Sequence, residues 1–221
     1  MALTLPKIDS ARTAAIVLCG GQSSRMGCPK GLLPFGPELL LQRMVRIVRE
    51  VTPTIVVVAA EGQGLPPLEG EVIVARDLRP ARGPLEGLAA GLAALPPEIE
   101  AAYATGCDTP LLRADWVRQM FAELGDFEIA VPRDNRFYHP LAAVYRRAVL
   151  PRIEKLLGEN RLRPFFLFEE AKTREVPVEE LRGVDPQLES LENLNHLEDY
   201  EAALARFGWS LPPDIAAKLR R

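Results

Sequence analysis

Residues 14–30 read AAIVLCGGQSSRMGCPK. Residues 14–19 are apolar without interruption, the pattern of a strand buried on both faces of a parallel sheet. The run stops at Gly20-Gly21, where glycine allows positive φ and close approach of backbone to a ligand. Successive N–H groups in such a turn can converge on an anion. Ser23 and Ser24 add hydroxyl donors, Arg25 a planar fork and Lys30 a mobile point charge. Neither GxxxxGK[ST] nor GxGxxG is present, so a Walker A loop and a dinucleotide fingerprint are not indicated. The stretch reads as a polyphosphate-binding turn at a strand end, with residues 18–30 holding a nucleoside triphosphate.

The pattern continues outward. Residues 39–51 have apolar positions at helical spacing with Arg43, Arg46 and Arg49 on another face, an amphipathic helix. Residues 54–60 are β-branched and apolar, and 71–75 form a shorter strand. Residues 84–95 follow Gly83 with Pro84 in the first helical turn. Residues 101–107 make another strand, closed by Asp108-Thr109-Pro110. Residues 115–124 are helical with Asp115 as N-cap. Strands are expected at 128–131 and 141–145, helices at 147–157 and 163–170, an edge strand at 173–178 and a helix at 196–207. Alternating strands and helices predict an α/β fold with a mainly parallel sheet.

Length and composition bound the function. The chain has 221 residues, 48% of them hydrophobic, enough for one substantial core. We expect one domain over residues 14–208, an N-terminal tail at 1–13 and a loosely attached tail at 209–221. A net charge of −3 gives no support to a nucleic-acid partner held by a broad basic surface. Three cysteines, Cys19, Cys28 and Cys107, form no CxxC pair and fit a reducing compartment. Cys19 and Cys107 read as small buried strand residues. Two histidines disfavour a zinc site. With no run of 18 apolar residues and no signal-like leader in residues 1–13, no membrane is expected and the location expected is cytoplasmic.

The segment Leu18-Cys19-Gly20-Gly21-Gln22-Ser23-Ser24-Arg25-Met26-Gly27-Cys28-Pro29-Lys30 resembles the LAGGxSxRMGxxK signature of the molybdenum cofactor guanylyltransferases. Gly83-Pro84-Leu85-Glu86-Gly87 resembles that family's GPLAG, and Cys107-Asp108-Thr109-Pro110 its CDTP or CDMP. His139-Pro140 resembles its HP or QP segment. Arg161-Leu162-Arg163 before Phe165 resembles its basic stretch before a helix, and Asn193-Leu194-Asn195 with Glu198-Asp199 its NxNTPED. The motifs occur in the family's order across roughly residues 14–205. The resemblance implies a Rossmann-like three-layer α/β/α nucleotidyltransferase fold, with GTP and molybdopterin or molybdenum cofactor as substrates and Mg2+ as cofactor. It also implies transient contact with cofactor-synthesis or molybdoenzyme proteins.

It further implies site residues. Arg25, Lys30 and Asp108 would be catalytic, with Asp108 the metal ligand. Leu18, Cys19, Gly20, Gly21, Ser23, Arg25, Lys30, Asp77, Gly83, Pro84, Leu85 and Asp108 would face the nucleotide, and backbone amides near Gly20 and Gly21 would grip its phosphates. His139, Arg161, Arg163, Asn193 and Asn195 would face the second substrate. The residues alone leave other readings open. Asp108 at a strand end suits Mg2+ and phosphate oxygens, but also a turn cap. Asp77 reads equally as a solvated charge, His139 as a satisfied histidine, and Arg161 and Arg163 as a solvated basic face. Asn193 and Asn195 would share one side of a strand, or Asn195 would cap the helix that follows. The sequence departs from the family at Pro29, Ala59-Ala60, Glu86 and His196-Leu197. A cytidylyl- or sugar-nucleotide transferase, and a nucleotide-binding regulatory module without catalysis, therefore stay as alternatives.

Overall fold

A computed structural model of the chain describes residues 9–20, 29–77, 79 and 82–219. Strand β1 (Thr13–Leu18) leads to a two-stranded ribbon, β2 (Pro34–Phe35) and β3 (Glu38–Leu39), and to helix α1 (Leu40–Arg49). There follow β4 (Thr54–Ala60), β5 (Ile73–Asp77), α2 (Pro84–Ala93), β6 (Ala101–Gly106) and α3 (Ala114–Leu124). The second half holds β7 (Ile129–Arg133), β8 (Ala142–Arg146), α4 (Leu150–Gly158), α5 (Phe165–Glu170), β9 (Thr173–Pro177), α6 (Leu197–Ala205) and α7 (Pro213–Leu219). No helix among the described residues is long and apolar enough to cross a membrane.

Seven strands form one sheet in the order β5-β4-β1-β6-β8-β7-β9. Strand β1 pairs in parallel with both β4 and β6, and β4 with β5. Strand β8 is antiparallel to β6 and to β7, while β7 and β9 are parallel. Six strands thus share one direction and β8 alone runs against them, so the expected mainly parallel sheet is present. Its consequence is functional: six carboxyl ends and the amino end of β8 lie along one edge, where ligands of open α/β sheets bind.

Two-sided burial explains the unbroken apolar run of β1, whose six residues are all buried. Ala14, Ile16 and Leu18 pack on one face with Leu85, Leu88 and Leu92 of α2, in a core continued by Ile153 and Leu156 of α4 and Leu167 of α5. Ala15, Val17 and Cys19 pack on the other with Leu41, Met44 and Val48 of α1 and Trp116 and Met120 of α3. Helices on both faces give the three-layer arrangement.

Some expectations need correction. Asp115 is not the N-cap of α3. Arg113 occupies that position, and Asp115 lies in the first turn, bonded to Arg118 at 2.7 Å. Arg43 does not share the solvated face of Arg46 and Arg49. It is 9% exposed, its Nε donates to the Pro110 carbonyl at 2.6 Å, and its guanidinium stacks near Phe35 and Phe207. Asn193 and Asn195 lie outside any strand. The expected loose tail is packed along residues 209–219. Trp209 meets Phe35 edge-on at 5.5 Å and stacks on Phe207 at 4.9 Å, and Leu211, Ile215 and Leu219 join the same cluster. Gly36, at φ 66°, allows this seat, because a Cβ there would lie 2.6 Å from the Trp209 ring. Sequence periodicity could not show this contact, since a lone Trp followed by Ser-Leu-Pro-Pro carries no helical pattern.

Replacing Trp209 by Ala should therefore destabilise the fold by about 1–3 kcal/mol, below the cost for a fully buried Trp because the ring is only partly buried. Urea unfolding checks this, and an unchanged midpoint would show that the segment adds nothing to the core.

Candidate functional site

Three segments distant in sequence meet where β6 ends. The Lys30 ammonium donates to Asp108 Oδ2 at 2.7 Å and to Asn195 Oδ1 at 3.3 Å. The Lys30 and Asp108 side chains are 20% and 22% exposed, partly withdrawn from water yet open to a ligand. Lys30 lies in a short 3-10 turn, Lys30–Leu32, after the glycine-rich loop. Asp108 follows the last residue of β6 by two. Asn195 is placed by the segment before α6, where Leu194 N–H donates to the Asp108 carbonyl at 2.9 Å. Asp199 in the first turn of α6 accepts from the Asn195 and His196 amides at 3.0 and 2.8 Å. The helix is thus capped by Asp199 with His196 at the N-cap position, and the Asn195 side chain turns to Lys30.

The loop carrying Asp108 is held from beneath. Arg43 grips the Pro110 carbonyl, and Thr105 and Thr109 hydroxyls meet at 3.1 Å. Glu38 accepts from Arg43 at 3.1 Å and from Arg46 at 2.8 Å. Desolvation opposes ionisation of Glu38, but these two guanidiniums keep its carboxyl below the ordinary range. At Gly106 a Cβ would stand 2.4 Å from Asp108 Oδ1. Glycine there leaves room for the carboxylate to fold over the strand end.

Cys19 and Cys107 are free and buried on neighbouring strand ends. A hydrogen bond with Cys19, burial and nearby negative charge push the Cys107 thiol up, the condition of an inert structural cysteine.

The structure sorts the remaining candidates. Leu18, Cys19 and Gly20 lie at the carboxyl end of β1. The amides of Cys19 and Gly20 both donate to the Val58 carbonyl, at 2.7 and 3.2 Å. Neither is free for a phosphate, contrary to the expectation for Gly20. Gly21, Ser23 and Arg25, with Cys28, lie outside the described residues. Asp77 ends β5, two strands from β1, and its Oδ1 accepts from the Arg79 amide at 3.0 Å. Gly83, at φ 78°, caps α2, Pro84 follows it, and the Leu85 side chain is fully buried. Any contact of Leu85 with a ligand is therefore through its backbone. Glu86, 7% exposed, is neutralised by Arg79 at 2.7 Å with Arg82 at 3.8 Å.

On the other side of β6, His139 Nε2 meets Asp134 Oδ2 at 3.2 Å. Arg161 is bound to Glu170 at 2.5 Å and Glu159 at 3.5 Å and lies over Phe166. The Arg163 guanidinium has no hydrogen bond or ion pair among the described residues, and Arg163 lines a cleft of about 480 Å3 with Arg133, Arg136, Phe137, Tyr138 and Phe165. Asn193 is exposed. Sequence reading missed Arg136 and Phe137. The turn composition of residues 133–137, RDNRF, was the available signal.

The donors fit a hard divalent cation. Asp108 Oδ1 has no hydrogen-bond partner among the described residues, and Asn195 supplies a second oxygen where an ammonium now stands. Among those residues there is no cluster of three or more His, Cys, Asp or Glu side chains able to hold a metal. One carboxylate with an amide oxygen beside it is a donor set that Mg2+ accepts, its remaining oxygens coming from phosphates and water.

Comparisons with known proteins give the family. Residues 15–174 match the family described as the MobA-like NTP transferase domain. A probable molybdenum cofactor guanylyltransferase of Methanosarcina acetivorans is 35% identical over 205 residues, 86% of this chain and 89% of that protein. A molybdenum cofactor guanylyltransferase of Desulfosudis oleivorans is 32% identical over 192 residues, 86% of this chain and 93% of that protein. The crystal structure of molybdopterin-guanine dinucleotide biosynthesis protein A from Archaeoglobus fulgidus superposes with a TM-score of 0.73 at 20% identity, covering 88% of this chain and 98% of that one, a likeness of fold. With Lys30, Asp108 and Asn195 gathered at the carboxyl edge of such a sheet, the chain belongs to the MobA-like NTP transferase family and is a nucleotidyltransferase.

Proposed function

We propose that the enzyme transfers GMP from GTP to the phosphate of molybdopterin or molybdenum cofactor, with Mg2+ and release of pyrophosphate. The observation that carries this reading is the ammonium–carboxylate pair of Lys30 and Asp108, 2.7 Å apart at the end of β6, in a chain whose relatives are named for guanylyl transfer.

Transfer of a nucleotidyl group asks little covalent chemistry of the protein. It asks that the acceptor oxygen be in line with the leaving pyrophosphate and that growing charge be offset. Lys30, bonded to Asp108 at 2.7 Å, would pass to the α-phosphate and hold its negative charge. Arg25, which lies outside the described residues, would balance the leaving pyrophosphate. The nucleotide would lie over β1, β4 and β5, between the loop after Gly20 and the start of α2. Asp108, with Asn195 beside it, would hold Mg2+, which orients phosphates and acts as a Lewis acid when bound. The acceptor would approach from the β8 and β7 side.

GTP with Mg2+ should raise the melting midpoint, because a ligand bound only by the folded state stabilises it by mass action, about 2.7 kcal/mol at a hundred times its Kd. CTP, ATP and UTP at equal concentration should shift it less. A response to CTP and not GTP would move the assignment to cytidylyl transfer. Lys30→Ala should lower pyrophosphate release about 100-fold or more, the scale of losing one charge-stabilising donor. Asp108→Asn should do the same and also abolish the Mg2+-dependent part of the thermal shift. Unaltered turnover in Lys30→Ala would remove the proposed role of the ion pair.

A further inference from the structure

We infer that Cys19 and Cys107 form an oxidation site beside the Lys30–Asp108 pair: a peroxide converts the two thiols to a disulfide, and the closed form turns over more slowly. The site itself stands apart from the transfer reading above, and only its effect on turnover rests on that reading.

The sheet brings the two cysteines side by side. Leu18 and Gly106 are partners in the parallel pairing of β1 with β6, and the Cys107 amide extends the ladder to the Leu18 carbonyl at 3.0 Å. Cys19 and Cys107 are the next residues on these adjacent strand ends, and both side chains pack on the same face of the sheet. Neighbouring strands lie about 4.8 Å apart, inside the range of about 4.4–6.8 Å between Cα atoms that a disulfide spans. A Cβ on Gly31 would stand 2.6 Å from Cys19 Sγ and 3.8 Å from Cys107 Sγ, so both sulfurs border one small space. The family signature LAGGxSxRMGxxK has Ala where this chain has Cys19, so the pair belongs to this chain and not to the motif.

Cys19 is the thiol set to react first. Gln63 Oε1 accepts the Ala60 amide at 3.0 Å, which turns Gln63 Nε2 toward Cys19, where it donates to the carbonyl at 3.1 Å and to Sγ at 3.5 Å. A donor aimed at the sulfur favours the charged form that attacks peroxide. The Cys19 sulfur takes one peroxide oxygen, the O–O bond breaks, and hydroxide leaves as water with the thiol proton. Sulfur is oxidised to a sulfenic acid and the peroxide is reduced. The Cys107 sulfur then attacks the sulfenic sulfur, the S–O bond breaks, the S–S bond forms, and hydroxide leaves as water with the Cys107 proton. Two thiols and one hydrogen peroxide thus give one disulfide and two waters. Cys107 is inert as a lone thiol, and here it has only to meet the sulfur beside it. With Cys19 and Cys107 at 8% and 6% exposure, the site favours a small oxidant over a bulky one.

Closure acts on the ion pair next to it. Gly31 rests against both sulfurs and directly follows Lys30, while Asp108 directly follows Cys107. Drawing the sulfurs to about 2.05 Å shifts the supports of the ammonium and of the carboxylate together. A displacement of about 1 Å at a reacting centre can cost about 100-fold in rate. Under reducing conditions the pair stays as thiols, the state seen in this structure, and a disulfide formed in a reducing compartment is transient and redox-sensing.

The test treats the full chain with hydrogen peroxide and follows two readouts, the masses of non-reduced peptides and pyrophosphate release from GTP with Mg2+ and molybdopterin. A peptide pair joined through Cys19 and Cys107, lighter than its reduced halves by two hydrogens, should appear and be lost on adding dithiothreitol. Cys28→Ser should form the same link. Turnover of the parent should fall roughly ten-fold or more, on the scale of a misplaced reacting group, and return with dithiothreitol. Cys107→Ala, with Cys107→Ser as the second variant should the first not fold, should keep within about two-fold of its own untreated rate at the same dose. Recovery of Cys19 and Cys107 as free thiols or as sulfinic or sulfonic acids without the link, or a link through Cys28 instead, overturns the site. A linked parent with undiminished turnover, or an equal loss in the Cys107 variants, overturns its control of the ion pair. A parent that releases no pyrophosphate with any nucleotide before oxidation overturns the transfer reading, and the peptide masses still decide the site.

Discussion

The bond between Lys30 and Asp108 is the constraint on which the site depends. It links a residue just past the nucleotide loop to one at the end of β6, and Asn195, 165 positions from Lys30, completes the group. Opposite charges at 2.7 Å, both about one-fifth exposed, attract more strongly than a surface pair because less water screens them. The pair holds both groups at the strand edge, 2.7 Å apart. Such preorganisation matters in phosphoryl chemistry because dipoles and charges that are already placed need no rearrangement as the reaction proceeds.

That pair is useful because of the sheet beneath it. Parallel strands bring their carboxyl ends to one edge, and each end is a place where the chain leaves the ladder and can present a side chain or an amide. Strand β8 divides the edge by running the other way. On one side stand β1, β4 and β5 with the glycine-rich loop, Asp77 and Gly83. On the other stand β7 and the turn of residues 134–137. Asp108 sits at the division, where on the proposed function a group would meet both a nucleotide and its acceptor.

Much of this was legible in the sequence. The buried parallel strands were readable because two-sided burial writes an unbroken apolar run, as in β1 and β4. Lys30 and Asp108 were singled out by residue type, a cation after a glycine-rich turn and a carboxylate at a strand end, and the structure brings their side chains within 2.7 Å of each other. Arg43 was not. Helical spacing puts it with Arg46 and Arg49, and only the folded chain supplies the Pro110 carbonyl and the Phe35 and Phe207 rings that make its burial tolerable. Trp209 was missed because its partners lie far off in Phe35 and Gly36. Arg161 and Arg163 look alike in sequence, yet Glu170 and Glu159 occupy the first and leave the second open. Pairing is a tertiary fact, and local pattern cannot distinguish a spent charge from an available one.

The difference between spent and available charge also orders the site's chemistry. Lys30 and Asp108 cancel each other, so the resting pair offers little net attraction to a polyphosphate. On the proposed function, binding would exchange partners: the ammonium would turn from carboxylate to phosphate, and the carboxylate would be left needing a new cation. A carboxylate abandoned in a partly desolvated pocket is unfavourable, so the movement of Lys30 and the arrival of a divalent ion at Asp108 favour one another. Nucleotide and metal should then bind as a coupled set, each strengthening the other by the same factor. The coupling would arise from the one Asp108 carboxylate, whose Oδ2 holds the Lys30 ammonium at 2.7 Å in the resting pair.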